Sequence, residues 1–170
     1  AVEDGSLRAN DVVVIRYEGP HTIAAVFLET IVGTNGILIP PDGYIRGVRE
    51  ICNRHDILMV ADEVMAGFGR CGEWFAINHW GVEPDLITFA KGVNSGYVPL
   101  GGVIVSSEVY DTFATRPFPG GLTYSGHPLA CAAAVATITA MQEEGIVENA
   151  DRLGREVFGL RVTGDSMIEA

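Results

Sequence analysis

Eleven of the 170 residues are basic, and ten of these are arginine. The exception is Lys91, which closes the apolar run DLITFAK (85–91) and is followed by Gly92. Arginine stays protonated in proteins, whereas lysine can lose its proton and act as an amine nucleophile. A chain that has drifted to arginine and kept one lysine reflects coding bias, or it reserves that position for chemistry arginine cannot do. A lysine at the end of an apolar strand is partly desolvated, and burial lowers its pKa and raises the share of free amine. That suits Schiff-base formation with a carbonyl. A second apolar run, DILMVADE (56–63), ends in two carboxylates. Asp62 there is an ion pair or cap, or else the charge partner of a ligand. Glu63 points to the opposite side of its strand and reads as structural.

The stretch GFGRCG (67–72) matches G-x-G-x-x-G. In a dinucleotide-binding turn the glycines follow the strand directly, a helix opens on the last one, and an acid ends the next strand about 20 residues on. Here residues 62–66 intervene, the following segment closes at Pro84, and the next strand begins with its acid, Asp85. These offsets disfavour a dinucleotide site.

The elements that must position Lys91 and Asp62 alternate along the chain. IAAVFLE (23–29) reads as a buried strand, followed by the turns GTNG (33–36) and PPDG (40–43). Residues 43–55 place Tyr44, Val48, Ile51 and Cys52 on one helical face. Strands are predicted at 56–63, 85–91 and 99–107, and helices at 127–145 and 146–158. The strand runs are apolar throughout, as in a parallel sheet covered on both faces. The expected class is α/β, doubly wound, with a mostly parallel sheet flanked by helices. Ligands of such sheets bind beyond the carboxyl ends of the strands. If strands 56–63 and 85–91 lie side by side or one apart, Asp62 and Lys91 share that edge. Pyridoxal phosphate supplies a carbonyl for a lysine, and its electron sink works best when a carboxylate holds the pyridine nitrogen protonated. Asp62 and Lys91 are the minimum equipment for that cofactor, while a plain Schiff-base lyase needs only the lysine.

Three blocks carry a resemblance. ADEVMAGFGRCGEWFA (61–76), PDLITFAKGVNSGYVPLGGVIVS (84–106) and GGLTYSGHPLACAAA (120–134), in this order and spacing, resemble the class III pyridoxal phosphate aminotransferases of fold type I. The similarity runs from about Ile23 to Gly154. The wording of GTNGILIPPDGY and AKGVNSGYVPLGGV is most similar to the omega-amino-acid branch, taurine–2-oxoglutarate aminotransferases in particular. The resemblance implies roles. Lys91 forms the Schiff base with the cofactor and then moves the proton. Asp62 pairs with the pyridine nitrogen, and Val64 packs on the ring face. Thr123, otherwise an ordinary loop hydroxyl, reaches across a dimer interface to the cofactor phosphate. The GFGR loop becomes a tight structural turn whose glycines allow unusual backbone angles, with Arg70 available to a nearby carboxylate. A homodimer or homotetramer with shared sites is implied, along with an amino donor and an oxo acid such as 2-oxoglutarate or pyruvate.

Two positions depart from common members. Thr34 stands where many carry a gating glutamate, and Met65 where many carry glutamine. Both fit the omega-amino-acid branch and count against ornithine- or 4-aminobutyrate-type specificity. Residues 1–145 read as the C-terminal half of the large domain and residues 146–170 as the start of a small one. The resemblance places the phosphate cup, the ring-stacking aromatic and the arginine for the substrate carboxylate outside this chain. The chain is therefore expected to be a fragment that binds cofactor weakly alone. A decarboxylase or racemase on the same fold, or an inactive remnant, remains open.

Composition narrows the partners. A net charge of −11 disfavours nucleic acid and anionic membranes. No run reaches the length of a membrane span. Three scattered cysteines suggest free thiols, and the start AVEDGSLRAND has no signal-peptide core, so the cytoplasm is expected. The four histidines lack ligand spacing, so no metal site is expected.

Overall fold

The computed structural model describes residue 15 and residues 17–158. Among these residues four strands form one sheet in the order β1-β2-β3-β4. They are β1 (Ala25–Glu29), β2 (Leu58–Asp62), β3 (Leu86–Phe89) and β4 (Gly102–Val105). The first three run parallel, and β4 is antiparallel to β3. The sheet is thus mostly parallel and is flanked by helices, as expected.

The crossover from β1 to β2 carries helix α1 (Tyr44–His55). It starts after Gly43 and stops at Asp56, which takes the left-handed conformation while its N–H caps Cys52. Arg54 and His55 fall in the last turn, where positive charge complements the helix dipole. Val48, Ile51 and Cys52 are buried as predicted, and Ile45 joins them. Tyr44 packs half-buried at the margin. These side chains meet Met59 of β2 and, from the β2–β3 connection, Ala76, Ile77 and Trp80. Fully burying one isoleucine contributes about 1.5–3 kcal/mol, so this cluster anchors the sheet.

Cover on both sheet faces is not found among the described residues. Side chains alternate between faces along a strand. Val26, Leu28, Met59 and Ile87 face the core. The opposite face leaves Phe27 72%, Leu58 40%, Val103 52% and Val105 41% exposed, with only Val60 buried among them.

The predicted strand 99–107 is shorter for a local reason. Ser106 Oγ accepts the Val109 N–H at 3.3 Å and caps the short helix α2 (Ser107–Thr112). Helix α3 (Pro128–Glu143) starts at the His127–Pro128 pair, with His127 Nδ1 accepting the Ala130 N–H at 3.4 Å. Helix α4 (Ile146–Phe158) follows Gly145. No helix among the described residues is long and apolar enough to cross a membrane.

Candidate active site

The carboxyl ends of β2 and β3 meet in register, with Asp62 opposite Thr88. Glu29 of β1 and Val103 of β4 continue the same row. Residues paired this way share one face, so Asp62 stands on the incompletely covered face, between Glu29 and Thr88. One oxygen of Asp62 accepts the Val64 N–H at 3.0 Å. That bond turns the chain out of the strand and fixes the carboxylate. Val64 therefore lies in the turn after β2 rather than on the strand.

Lys91 does not end β3. The strand stops at Phe89, and Lys91 opens a 3-10 turn, Lys91–Asn94, with φ of 44°. It is exposed, so the described residues do not supply the desolvation expected for it. The turn itself is firm. Val93 is buried and its N–H bonds the Ala90 carbonyl at 3.2 Å. Asn94 is buried, donates from Nδ2 to the Val98 carbonyl, and accepts the Gly96 N–H at 3.3 Å. Helix α3 packs on this turn. Asp62 and Lys91 thus stand at the same end of adjacent parallel strands.

Thr123 lies in the exposed turn that leads into α3, and among the described residues no hydrogen bond joins it to Asp62 or Lys91. One of the two departures, Met65, packs against the residue that precedes the other. A Cβ on Gly33 would meet the Met65 side chain at 2.6 Å, and Gly33 adjoins Thr34. The Gly33 N–H also bonds Glu29 Oε2 at 2.9 Å.

Glu63 is the structural residue the sequence suggested. It is fully buried. Its carboxylate accepts the Thr30 hydroxyl at 2.8 Å and the N–H groups of Ala76 at 2.9 Å and Ile77 at 2.8 Å. Burial raises its pKa above the usual carboxylate range, against the pull of those donors. The GFGRCG loop packs against helices. A Cβ on Gly69 would meet Val147 at 3.1 Å, and one on Gly72 would meet the Asp151 backbone at 2.9 Å. Both glycines have positive φ. Arg70 donates to the Met65 carbonyl at 2.6 Å rather than to a carboxylate. Asp85 accepts from Arg49 and from the Met59 N–H, both at 2.7 Å, and so ties α1 to the sheet. Burial pushes the Cys71 thiol up to about 11. Among the described residues no cluster of three or more His, Cys, Asp or Glu side chains could hold a metal ion.

Sequence reading gave no role to Thr88. Its hydroxyl is buried beside Asp62 with no protein partner among the described residues. The signal available was its being the one hydroxyl inside an otherwise apolar strand.

The sequence model of the aminotransferase class-III family matches residues 5–160. An omega-amino acid–pyruvate aminotransferase of Pseudomonas putida is 47% identical over 142 residues, covering 79% of this chain and 32% of the relative. A diaminobutyrate–2-oxoglutarate transaminase of Halomonas elongata is 45% identical over 81% of this chain and 30% of its own length. The taurine:2-oxoglutarate aminotransferase of Bifidobacterium kashiwanohense, solved in complex with pyridoxal phosphate and glutamate, superposes with a TM-score of 0.85 at 47% identity. That match covers 88% of this chain and 34% of the other. The chain therefore spans about a third of the length of these relatives. With its mostly parallel sheet and this match along nearly its whole length, the chain belongs to the class-III aminotransferases, a pyridoxal phosphate-dependent family of fold type I.

Proposed function

We propose that the protein transfers an amino group from an omega-amino donor to an oxo acid, with pyridoxal phosphate held between Asp62 and Lys91. The observation that carries this reading is the placement of those two residues at the carboxyl end of adjacent parallel strands, with Asp62 opposite Thr88. Two features support the fit of the cofactor. One oxygen of Asp62 has no protein partner among the described residues, and the buried Thr88 hydroxyl beside it has none either.

When bound, the cofactor supplies an aldehyde carbon and a sink for the electrons released at the substrate carbon. Asp62 holds the proton on the pyridine nitrogen through its free oxygen, because a carboxylate beside a protonated ring favours the charged form. The Val64 N–H keeps Asp62 in place, and the Val64 side chain packs on the ring face. Lys91 Nζ holds the cofactor and moves the proton at the substrate carbon; the only lysine of the chain suits this role, since arginine cannot give up its proton. Thr123 binds the cofactor phosphate of the neighbouring subunit in a homodimer or homotetramer. Taurine is one candidate donor, and 2-oxoglutarate and pyruvate are candidate acceptors, on the strength of the relatives' names. Thr34 in place of a gating glutamate and Met65 in place of glutamine support the omega-amino-acid branch. Residues 1–145 would belong to the large domain and residues 146–170 to the start of the small one. Three free cysteines support a reducing, cytoplasmic setting.

The exposed face around Phe27, Leu58, Val103 and Val105 favours a second reading, in which this piece turns over only when joined to further polypeptide. Borohydride trapping tests both. The chain is incubated with pyridoxal phosphate, reduced, digested and mapped by mass spectrometry, beside Lys91→Ala. A stoichiometric pyridoxyl adduct at Lys91, absent from the variant, supports the site as drawn. No adduct on the folded chain favours the second reading, and its absence from a full-length protein as well would sink the cofactor assignment.

A further inference from the structure

Two side-chain-bearing residues in the left-handed region meet across one glycine. Phe68 has φ of 57° and Lys91 has φ of 44°. L residues rarely adopt such angles unless their surroundings over-determine them. Gly92, directly after Lys91, supplies the contact. A Cβ on Gly92 would lie 2.8 Å from Phe68 Cβ, 3.4 Å from the Gly67 carbonyl oxygen and 3.7 Å from Phe68 Cγ. Gly92 itself does not have positive φ. Its missing side chain is therefore a matter of space: the Phe68 loop needs to sit directly on the Lys91 turn.

Phe68 is well held for such a role. Its ring packs edge-on against Phe75, with centroids 5.4 Å apart, and against Phe89 at 5.6 Å. Its N–H donates to the Trp74 carbonyl at 2.6 Å, and the Gly69 N–H to the Glu73 carbonyl at 3.1 Å. Phe89 is the last residue of β3, two before Lys91. Phe68 therefore grips both the strand that leads into Lys91 and the residue that follows it. On the far side, buried Val93 and Asn94 leave the turn little freedom to yield.

We propose that Phe68 is a positioning residue for Lys91. Seated on Gly92 and Phe89, it forces the Lys91 backbone into the left-handed conformation. That fixes the direction of the Lys91 Cα–Cβ bond and so the place from which the amine acts. The backbone half of this inference stands on the contacts alone. The functional half rests on Lys91 being the amine that holds the cofactor.

Two readouts on the 170-residue chain test the two halves. The first uses no cofactor. Lys91→Gly and Lys91→Ala are compared by thermal unfolding, in the native background and with Phe68→Ala. A forced left-handed residue favours glycine, so Lys91→Gly melts about 2–4 °C above Lys91→Ala in the native background. The gap closes with Phe68→Ala, where the turn can relax. No gap, or the same gap in both backgrounds, overturns the proposal. Should Phe68→Ala not fold, Phe68→Leu carries the same comparison, since it keeps an apolar side chain and loses the ring contacts. The second readout is borohydride trapping with pyridoxal phosphate. The adduct at Lys91 falls roughly tenfold or more in Phe68→Ala and in Gly92→Ala, because small misplacements of a reacting group are costly, and it is retained in Phe68→Tyr. Undiminished trapping in both overturns the functional half. Failure of the native chain to trap at Lys91 moves the trapping comparison to a full-length protein, where failure again would remove the cofactor reading, and the melting comparison still decides whether Phe68 holds Lys91.

Discussion

The Glu63 carboxylate accepts the Thr30 hydroxyl at 2.8 Å in the protein interior. It also takes the N–H groups of Ala76 and Ile77, so one side chain joins the end of β1, the end of β2 and the start of the 76–80 turn. Glu63→Ala leaves three buried donors unpaired. Each costs about 1–3 kcal/mol, and we expect a loss of about 3 kcal/mol or more in urea unfolding. Glu63→Gln turns an acceptor into a donor facing one of those N–H groups and is expected to fall between the two.

The same burial sets a pH dependence. Glu63 holds its proton more tightly when folded than its ordinary value near 4.5. The folded state then binds more proton than the unfolded one above that pH, so stability falls as pH rises. The favourable contribution is complete below about 4.5 and is lost as pH climbs through the raised folded value. Urea midpoints measured from acid to neutral pH should therefore decline more in the native chain than in Glu63→Gln. A parallel pair of profiles would refute this.

Much of the frame was legible because strong local signals agreed with it. Helices α1, α3 and α4 lie within a few residues of their predicted bounds, since each carries its own stop or start: Asp56, the His127–Pro128 pair and Gly145. The placement of Asp62 and Lys91 followed from the rule that parallel sheets bind ligands at their carboxyl ends. The antiparallel direction of β4 was not legible, because the apolar run 99–107 reads the same in both directions. The exposure of Lys91 was missed for a related reason. A lysine after an apolar strand reads as desolvated, but β3 stops at Phe89 and the chain turns left-handed at Lys91. That turn depends on Phe68, more than twenty positions away in sequence, so no local pattern could give it.

Gly72 separates the packing account of the GFGRCG loop from a ligand-cradling one. Its φ is 82°, and an added Cβ would lie 2.9 Å from the Asp151 backbone. The left-handed cost of about 1–2 kcal/mol and overpacking of about 1–3 kcal/mol act together. We expect Gly72→Ala to lower unfolding stability by about 2–4 kcal/mol, with thermal unfolding as the check. A variant as stable as the native chain would mean that α4 does not rest on this loop.

Asp62→Asn keeps the size of the side chain and can still accept the Val64 N–H, but it removes the charge. A hydrogen bond to a charged group is worth about 1.5–3 kcal/mol, so cofactor affinity should fall about ten- to a hundredfold. Spectroscopic titration of pyridoxal phosphate on a protein that loads cofactor provides the measurement. Unchanged affinity would leave Asp62 as no more than the cap of its own turn.

Thr123 offers the sharpest check of a shared site, because it lies in an exposed turn with no role in the described chain. Thr123→Val should weaken cofactor binding about ten- to a hundredfold through loss of a bond to the charged phosphate. Subunit mixing then tells whose site it serves. In a full-length protein that turns over, neither Lys91→Ala nor Thr123→Val alone is expected to sustain activity at limiting cofactor. A mixed dimer has one site that combines native Lys91 of one subunit with native Thr123 of the other, if Thr123 reaches across. Mixing the two inactive proteins should therefore restore activity. Were Thr123 to serve its own subunit, that same site would lack its threonine and the other its lysine, and mixing would restore nothing.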